Sequence, residues 1–71
     1  MKTTIQRVKI IKFSKLEQKY LKELLPDEDA PKEFVLTDET CNKVISILID
    51  INPDKQEHKD FIMTLIKELK R

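Results

Sequence analysis

Apolar positions crowd together at residues 41–51, where Cys41, Val44, Ile45, Ile47, Leu48, Ile49 and Ile51 interrupt only a narrow polar strip of Asn42, Lys43, Ser46 and Asp50. On a helix at about 100° per residue these apolar positions cover roughly 200° of the surface. A surface helix ordinarily shows a narrower apolar stripe. The pattern therefore predicts a central helix near 38–51 that needs cover on more than one side, with the rest of the chain, a second copy or a partner supplying it.

Two further helices follow from the same periodicity. Ser14 and Glu17 stand in the spacing of a capping box, and Leu16, Tyr20 and Leu24 recur every fourth residue until Pro26 ends the run. The pattern predicts a helix over 15–25. His58, Phe61, Ile62, Leu65, Ile66 and Leu69 follow the helical template, and Asn52 and Pro53 supply a stop and a start, which predicts a helix over 54–70. A break of two or three residues between the last two helices implies a helical hairpin or a sharp corner.

The N-terminal arm, residues 3–13, fits neither period well. Val8, Ile10, Ile11 and Phe13 suit a strand. Strict alternation fails, because Arg7 and Lys9 share a face with Ile5, Ile11 and Phe13. Ile5, Val8 and Ile11 are an equally imperfect helical stripe, so strand and helix both stay open. Residues 26–32 read as a stiff acidic loop. Residues 33–36 read as a short apolar piece that either pairs with the arm or packs as a staple before the next helix. Thr37 or Asp38 is the expected cap of the central helix. The expectation is a single small domain over 1–71, mainly α, with three helices; the alternative is α+β, with a strand arm added.

Composition narrows the choice. A chain of 71 residues buries a small fraction of its surface and is marginal without help. One cysteine forms no internal disulfide, and one cysteine with one histidine makes no structural zinc site. There is no glycine, on which tight hairpin turns rely; this weighs against an all-β fold and excludes a phosphate-cradling loop. No uninterrupted apolar run exceeds three residues, as in Ile47–Ile49, far short of the roughly 20 of a membrane span. Charge breaks up the first residues before a targeting signal can form. An intracellular, cytoplasmic setting is expected, with no membrane, metal or cofactor.

Enzymatic chemistry finds little support. Cys41, in the first turn of the central helix, and His58, on the apolar stripe of the last, read as packing residues rather than a nucleophile and its base. Asp27, Glu28 and Asp29 lack the alternation and the glycine of a calcium loop.

Charge is unevenly placed. Residues 1–25 carry seven Lys/Arg against Glu17 and Glu23, and residues 26–40 carry six acids against Lys32 alone. Lys12, Lys15, Lys19 and Lys22 fall within about 80° on the back of the first helix, with Arg7 and Lys9 upstream. Such a stripe is a candidate for nucleic acid or an acidic partner, or a solvated face neutralised by the acidic loop. If the arm is a strand, the strand–helix–helix order resembles the topology of ribbon-helix-helix repressors. That resemblance implies a dimer whose paired arms present Gln6, Arg7 and Lys9 to the major groove. The connection between residues 25 and 38 is longer and more acidic than that family's, and the family is not assigned.

The other candidate surface is apolar: Phe34, Leu36, Ile47 and Ile49 are the residues two flanking helices leave over. The sequence thus predicts a non-catalytic protein–protein interaction module, a small adaptor, inhibitor or regulator, whose partner is another protein or a second copy in a homodimer. A nucleic-acid-binding regulator using the basic N-terminal third is the alternative.

Overall fold

A computed structural model describes residues 1–26 and 31–71. It contains, in chain order, strands β1 (Lys2–Ile5) and β2 (Lys9–Lys12), helix α1 (Lys15–Leu24), strand β3 (Glu33–Leu36), and helices α2 (Asp38–Asp50) and α3 (Gln56–Leu69). The fold is α+β. A mainly helical fold with an arm is corrected to three helices laid on one face of a three-stranded antiparallel sheet, ordered β1-β2-β3.

The arm is a hairpin. Thr3 lies opposite Ile11 and Ile5 opposite Lys9, so the chain reverses through Gln6, Arg7 and Val8. It does so without glycine because three residues make the turn and none of them takes a positive φ. The Gln6 amide donates to the Val8 carbonyl at 3.0 Å. This arrangement replaces the single extended arm that a repressor-like dimer would pair: β2 finds its second neighbour in the same chain, where Ile11 lies opposite Phe34 and Lys9 opposite Leu36.

Period-two geometry now sorts the arm. Lys9, Ile11 and Phe13 turn inward and are buried; Ile10 and Lys12 turn outward. Across β3 the inward residues are Phe34 and Leu36, and Val35 is exposed on the open side. The core joins Ile11 and Phe13 to Leu21 of α1, Cys41 and Leu48 of α2, and Phe61, Ile62, Leu65 and Leu69 of α3. Each such side chain, fully buried, contributes about 1.5–3 kcal/mol. Helix α3, more than α2, supplies this core.

The aromatic residues form one connected string through it. Phe34 meets Phe13 edge-on with centroids 4.9 Å apart, Phe13 meets Phe61 at 6.4 Å, Phe61 meets Tyr20 at 5.7 Å, and Tyr20 meets His58 at 5.3 Å. The string ties β3, β2, α3 and α1 together; Phe61 and Tyr20 are tilted at 56°, and the other contacts take the edge-to-face geometry that aromatic quadrupoles favour.

The helix ends carry the expected signals at two of three starts. Ser14 accepts from the Glu17 amide while Glu17 accepts from the Ser14 amide at 2.8 Å, the reciprocal cap of α1. Thr37 caps α2 through the Thr40 amide, and Thr40 returns the bond to Thr37 at 2.7 Å. Helix α3 begins later than the sequence predicts. Its N-cap is Lys55, with no side-chain cap, and residues 51–55 connect α2 to α3. Pro53 holds Asn52 out of the helical region, and the longer connection lets α3 fold back along α2. Cys41, Asn42 and Ile45 near the start of α2 line the same depression as Leu69, Lys70 and Arg71 at the end of α3, so the two helices run antiparallel.

Candidate functional site

Two surfaces carry the residues that sequence reasoning selected. The basic one is divided by the fold. Lys9 does not stand on it: its ammonium donates to the Leu69 carbonyl at 2.6 Å and to the Arg71 carbonyl at 2.8 Å, closing the negative end of α3. Its aliphatic stem packs inside the sheet while its head reaches the helix end, as long amines do. Arg7 is exposed in the hairpin turn, at the opposite end of β2 from Lys12 and about 10 Å or more away along the strand. Gln6 is exposed in the same turn, so Gln6, Arg7 and Lys9 share no face. Lys12, Lys15, Lys19 and Lys22 are all exposed. Lys19 stands 4.0 Å from Glu23, and Lys22 donates to the Pro26 carbonyl at 3.3 Å. Lys2, which sequence reasoning passed over, lies directly across β1 and β2 from Lys12, and Lys12 in turn lies across from Glu33. Alternation alone would have exposed this only if the hairpin register were known. The acidic residues Asp27, Glu28 and Asp29 lie outside the described residues.

The apolar surface is also divided. Residues 47 and 49 of one helix are about 160° apart, and the structure places their side chains on opposite flanks of α2. Ile47, 52% exposed, lines an apolar groove of about 280 Å³ with Leu21, Phe34, Val44 and Leu48. The groove is also lined by Leu25 and Pro31, which bracket the segment outside the described residues. Phe34 and Leu36 are half-buried and packed against the core, and Phe34 also lines the groove with Ile47. Ile49, 64% exposed, lies on the Ile45 side of α2, away from that groove. There it follows Ile45 by one turn.

Helix α3 presents a matching flank. Phe61 faces α1, where it meets Tyr20, so the side of α3 toward α2 carries Ile62 and Ile66. Met63, 68% exposed, borders Ile66 on a shallow apolar surface shared with Lys67 and Lys70. Sequence reasoning missed Met63 because it falls outside the stripe that builds the core. Helix α2 thus carries half-buried Ile45 and exposed Ile49, and α3 carries half-buried Ile66 and exposed Met63.

Among the described residues no buried side-chain nitrogen or oxygen lacks a partner. Thr3 donates to Glu68 at 2.9 Å and Arg71 donates to it at 3.0 Å. The Arg71 and Thr3 bonds outweigh the opposing effect of burial and hold the Glu68 carboxyl below its ordinary range. Burial pushes Glu17 up. The bond from the Ser14 amide, the terminal ammonium 2.9 Å away and the Ser14 hydroxyl together overcome this and leave its carboxyl lowered. His58 is buried, with Nε2 2.9 Å from Glu23 Oε2. A ring N–H donating to that carboxylate joins α3 to α1.

Cys41 and His58 do not meet. Cys41 is buried beside Leu69, near the end of α3, whereas His58 lies in its first turn. Eleven residues of helix separate Leu69 from His58, about 16 Å, beyond any nucleophile–base contact. Among the described residues no three His, Cys, Asp or Glu come together to hold a metal ion, and no helix is long and apolar enough to cross a membrane. No protein-family model, curated protein or solved structure matches this chain.

Proposed function

We propose that the protein is a non-catalytic binding module that acts through a protein–protein contact on the outer side of the α2–α3 seam. The observation that supports this reading is the pair Ile49 and Met63, both about two-thirds exposed on helices that pack together, beside half-buried Ile45 and Ile66. Single exposed apolar residues are ordinary on any surface. Exposed apolar residues on two helices that pack together are a pattern met at interfaces.

A second reading has its own support. Lys2 and Lys12 face each other directly across β1 and β2, a like-charge pair that costs stability in isolation. With Lys15 just beyond them, they form a site for an anionic polymer. One experiment separates the two readings. A photoreactive residue replaces Ile49 in one variant and Lys12 in another, and each is activated in cells that make the protein. The first reading expects a discrete protein adduct from position 49. A nucleic-acid adduct from position 12, with none from 49, overturns it. The second reading further expects binding that falls steeply with salt and disappears in Lys15→Glu with Lys19→Glu; salt-insensitive binding intact in that variant overturns it.

A further inference from the structure

We infer that the free edge of β3, with the apolar groove beside it, takes up an extended segment of another protein as an added antiparallel strand. This surface lies apart from Ile49, which stands about 160° around α2 from the groove residue Ile47.

Hydrogen-bond alternation fixes which groups β3 offers. The Phe13 amide donates to the Lys32 carbonyl at 2.9 Å, in the register that sets Ile11 opposite Phe34 and Lys9 opposite Leu36. In an antiparallel pair every second residue exchanges its backbone bonds with its partner, and the residues between direct theirs away. Lys32, Phe34 and Leu36 therefore turn their backbone groups toward β2, and Glu33 and Val35 turn theirs outward. Strand β3 ends the sheet, so these outward groups meet no further strand. Among the described residues nothing else bonds to them. The slot also has fixed ends. Pro31 has no N–H to offer. The Thr37 amide is spent on Thr40 Oγ1 at 2.7 Å, and the Thr37 carbonyl accepts from the Cys41 amide at 2.9 Å. What is left is one N–H and one C=O from each of Glu33 and Val35, at the spacing that one antiparallel strand satisfies.

The side chains around the slot define the chemistry of its occupant. Residues directly opposite each other share a face of the sheet. The occupant's residue opposite Phe34 therefore points to the helix side, where Phe34 lines the groove of about 280 Å³ with Val44 and Ile47. That position calls for a branched or aromatic apolar side chain. The occupant's residues on either side of it face the open side of the sheet, opposite Val35 and Glu33. Val35 is 58% exposed and suits an apolar neighbour. Glu33 lies across from Lys12 yet forms no ion pair among the described residues, and it suits a lysine or arginine. From its own N-terminus the occupant reads apolar, apolar, basic. In added strands of this kind backbone bonds supply affinity and the pocket supplies specificity.

A second copy fits the slot less well. Two β3 strands paired about a two-fold axis set Phe34 against Phe34 and Glu33 against Val35. Each Phe34 is held edge-on by its own Phe13 at 4.9 Å and packs on its own core, so neither fills the other's groove. Neither Glu33 gains a cation. The shortness of β3 and the charge of Glu33 also oppose open-ended pairing.

Titration of the isotope-labelled chain with short blocked peptides, followed by nuclear magnetic resonance, tests this. The probes carry Val-Leu-Lys, Val-Ile-Lys or Val-Phe-Lys between pairs of threonines. The amides of Glu33 and Val35 and the methyl groups of Ile47 are expected to shift together and saturate at one peptide per chain. N-methylation of the peptide's valine and lysine removes two backbone donors and is expected to weaken binding about tenfold. Aspartate at the inward position of the peptide is expected to abolish it. Ile47→Asp, at a half-exposed helix position, is expected to weaken binding with the fold retained. Glu33→Lys is expected to move the preference at the peptide's third position from lysine to glutamate, and it does not depend on the Ile47 variant folding. No shift with any of these peptides at millimolar concentration, or binding indifferent to N-methylation, overturns the added strand. If the Glu33 and Val35 amides shift with the concentration of the peptide-free chain, a second copy is the occupant and the foreign segment is overturned.

Discussion

Lys9 shows how one side chain links the two halves of the chain. It sits in the middle strand on the inward face, where an apolar residue would be expected. Its ammonium instead serves two carbonyls at the end of α3, some sixty residues later. Hydrogen bonds from a charged donor are worth about 1.5–3 kcal/mol each when both partners are committed. Lys9→Met keeps the stem and removes the donor, and is expected to lower the unfolding free energy by about 1–3 kcal/mol. Chemical denaturation measures it, and an unchanged or higher stability shows that the carbonyls find water instead. Thr3 and Glu68 join the same two regions beside it. The lowered carboxyls of Glu17 and Glu68 also make the fold sensitive to acid. A group whose pKa falls on folding stabilises above its ordinary value, here 4.5, and that contribution is lost as pH drops through and below it. Melting temperature should therefore hold above pH 4.5 and decline beneath it. In Glu17→Gln with Glu68→Gln the decline should be shallower; an acid limb of the same steepness would assign it to other groups.

Among the elements, those with local signals were legible and those defined by their neighbours were not. Ser14 and Glu17 mark the start of α1, and Pro26 its end, because capping and the proline ring act within a few residues. The face of α1 is another matter. Leu16, Tyr20 and Leu24 fit a stripe, yet Leu16 is 55% exposed and the covered side centres on Leu21. Periodicity leaves that rotation open, and α3 selects it by its Phe61 and His58 contacts with Tyr20. Helix α3 starts at a position that its own sequence caps poorly. Lys55 offers no acceptor to the first turn, so its amides lack a side-chain partner. Lys55→Ser is expected to raise stability by about 0.5–2 kcal/mol, read as a higher melting temperature. No gain would mean that the helix begins at Pro53 or Asp54 in solution.

For the molecule as a whole, β2 and α3 are the frame. Strand β2 is paired on both sides, and α3 contributes His58, Phe61, Ile62, Leu65 and Leu69 to the interior. Strand β1 is an edge, and α2 buries only Cys41 and Leu48. Local openings follow buried contacts, so amide exchange is expected to be slowest in β2 and the second half of α3, and faster in β1 and on the outer side of α2. Uniform protection across all elements would contradict this ranking. The same imbalance explains the functional surface. Helix α2 is the most apolar stretch of the chain, yet only part of that apolar surface is covered within it. Ile49 is left exposed, and Ile47 lies apart on the groove beside Phe34.

The sequence by itself determined the helices, two of their caps, the excess of apolar surface on residues 41–51 and the lack of a cysteine–histidine metal set. Those follow from periodicity, short-range hydrogen bonding and counting. Tertiary structure alone decided that the arm is a hairpin, that Lys9 points inward, and that Ile47 and Ile49 belong to different surfaces. Strand pairing joins residues distant in sequence, and a side chain's environment depends on which remote element lies against it. Neither quantity is written in any single stretch of this chain.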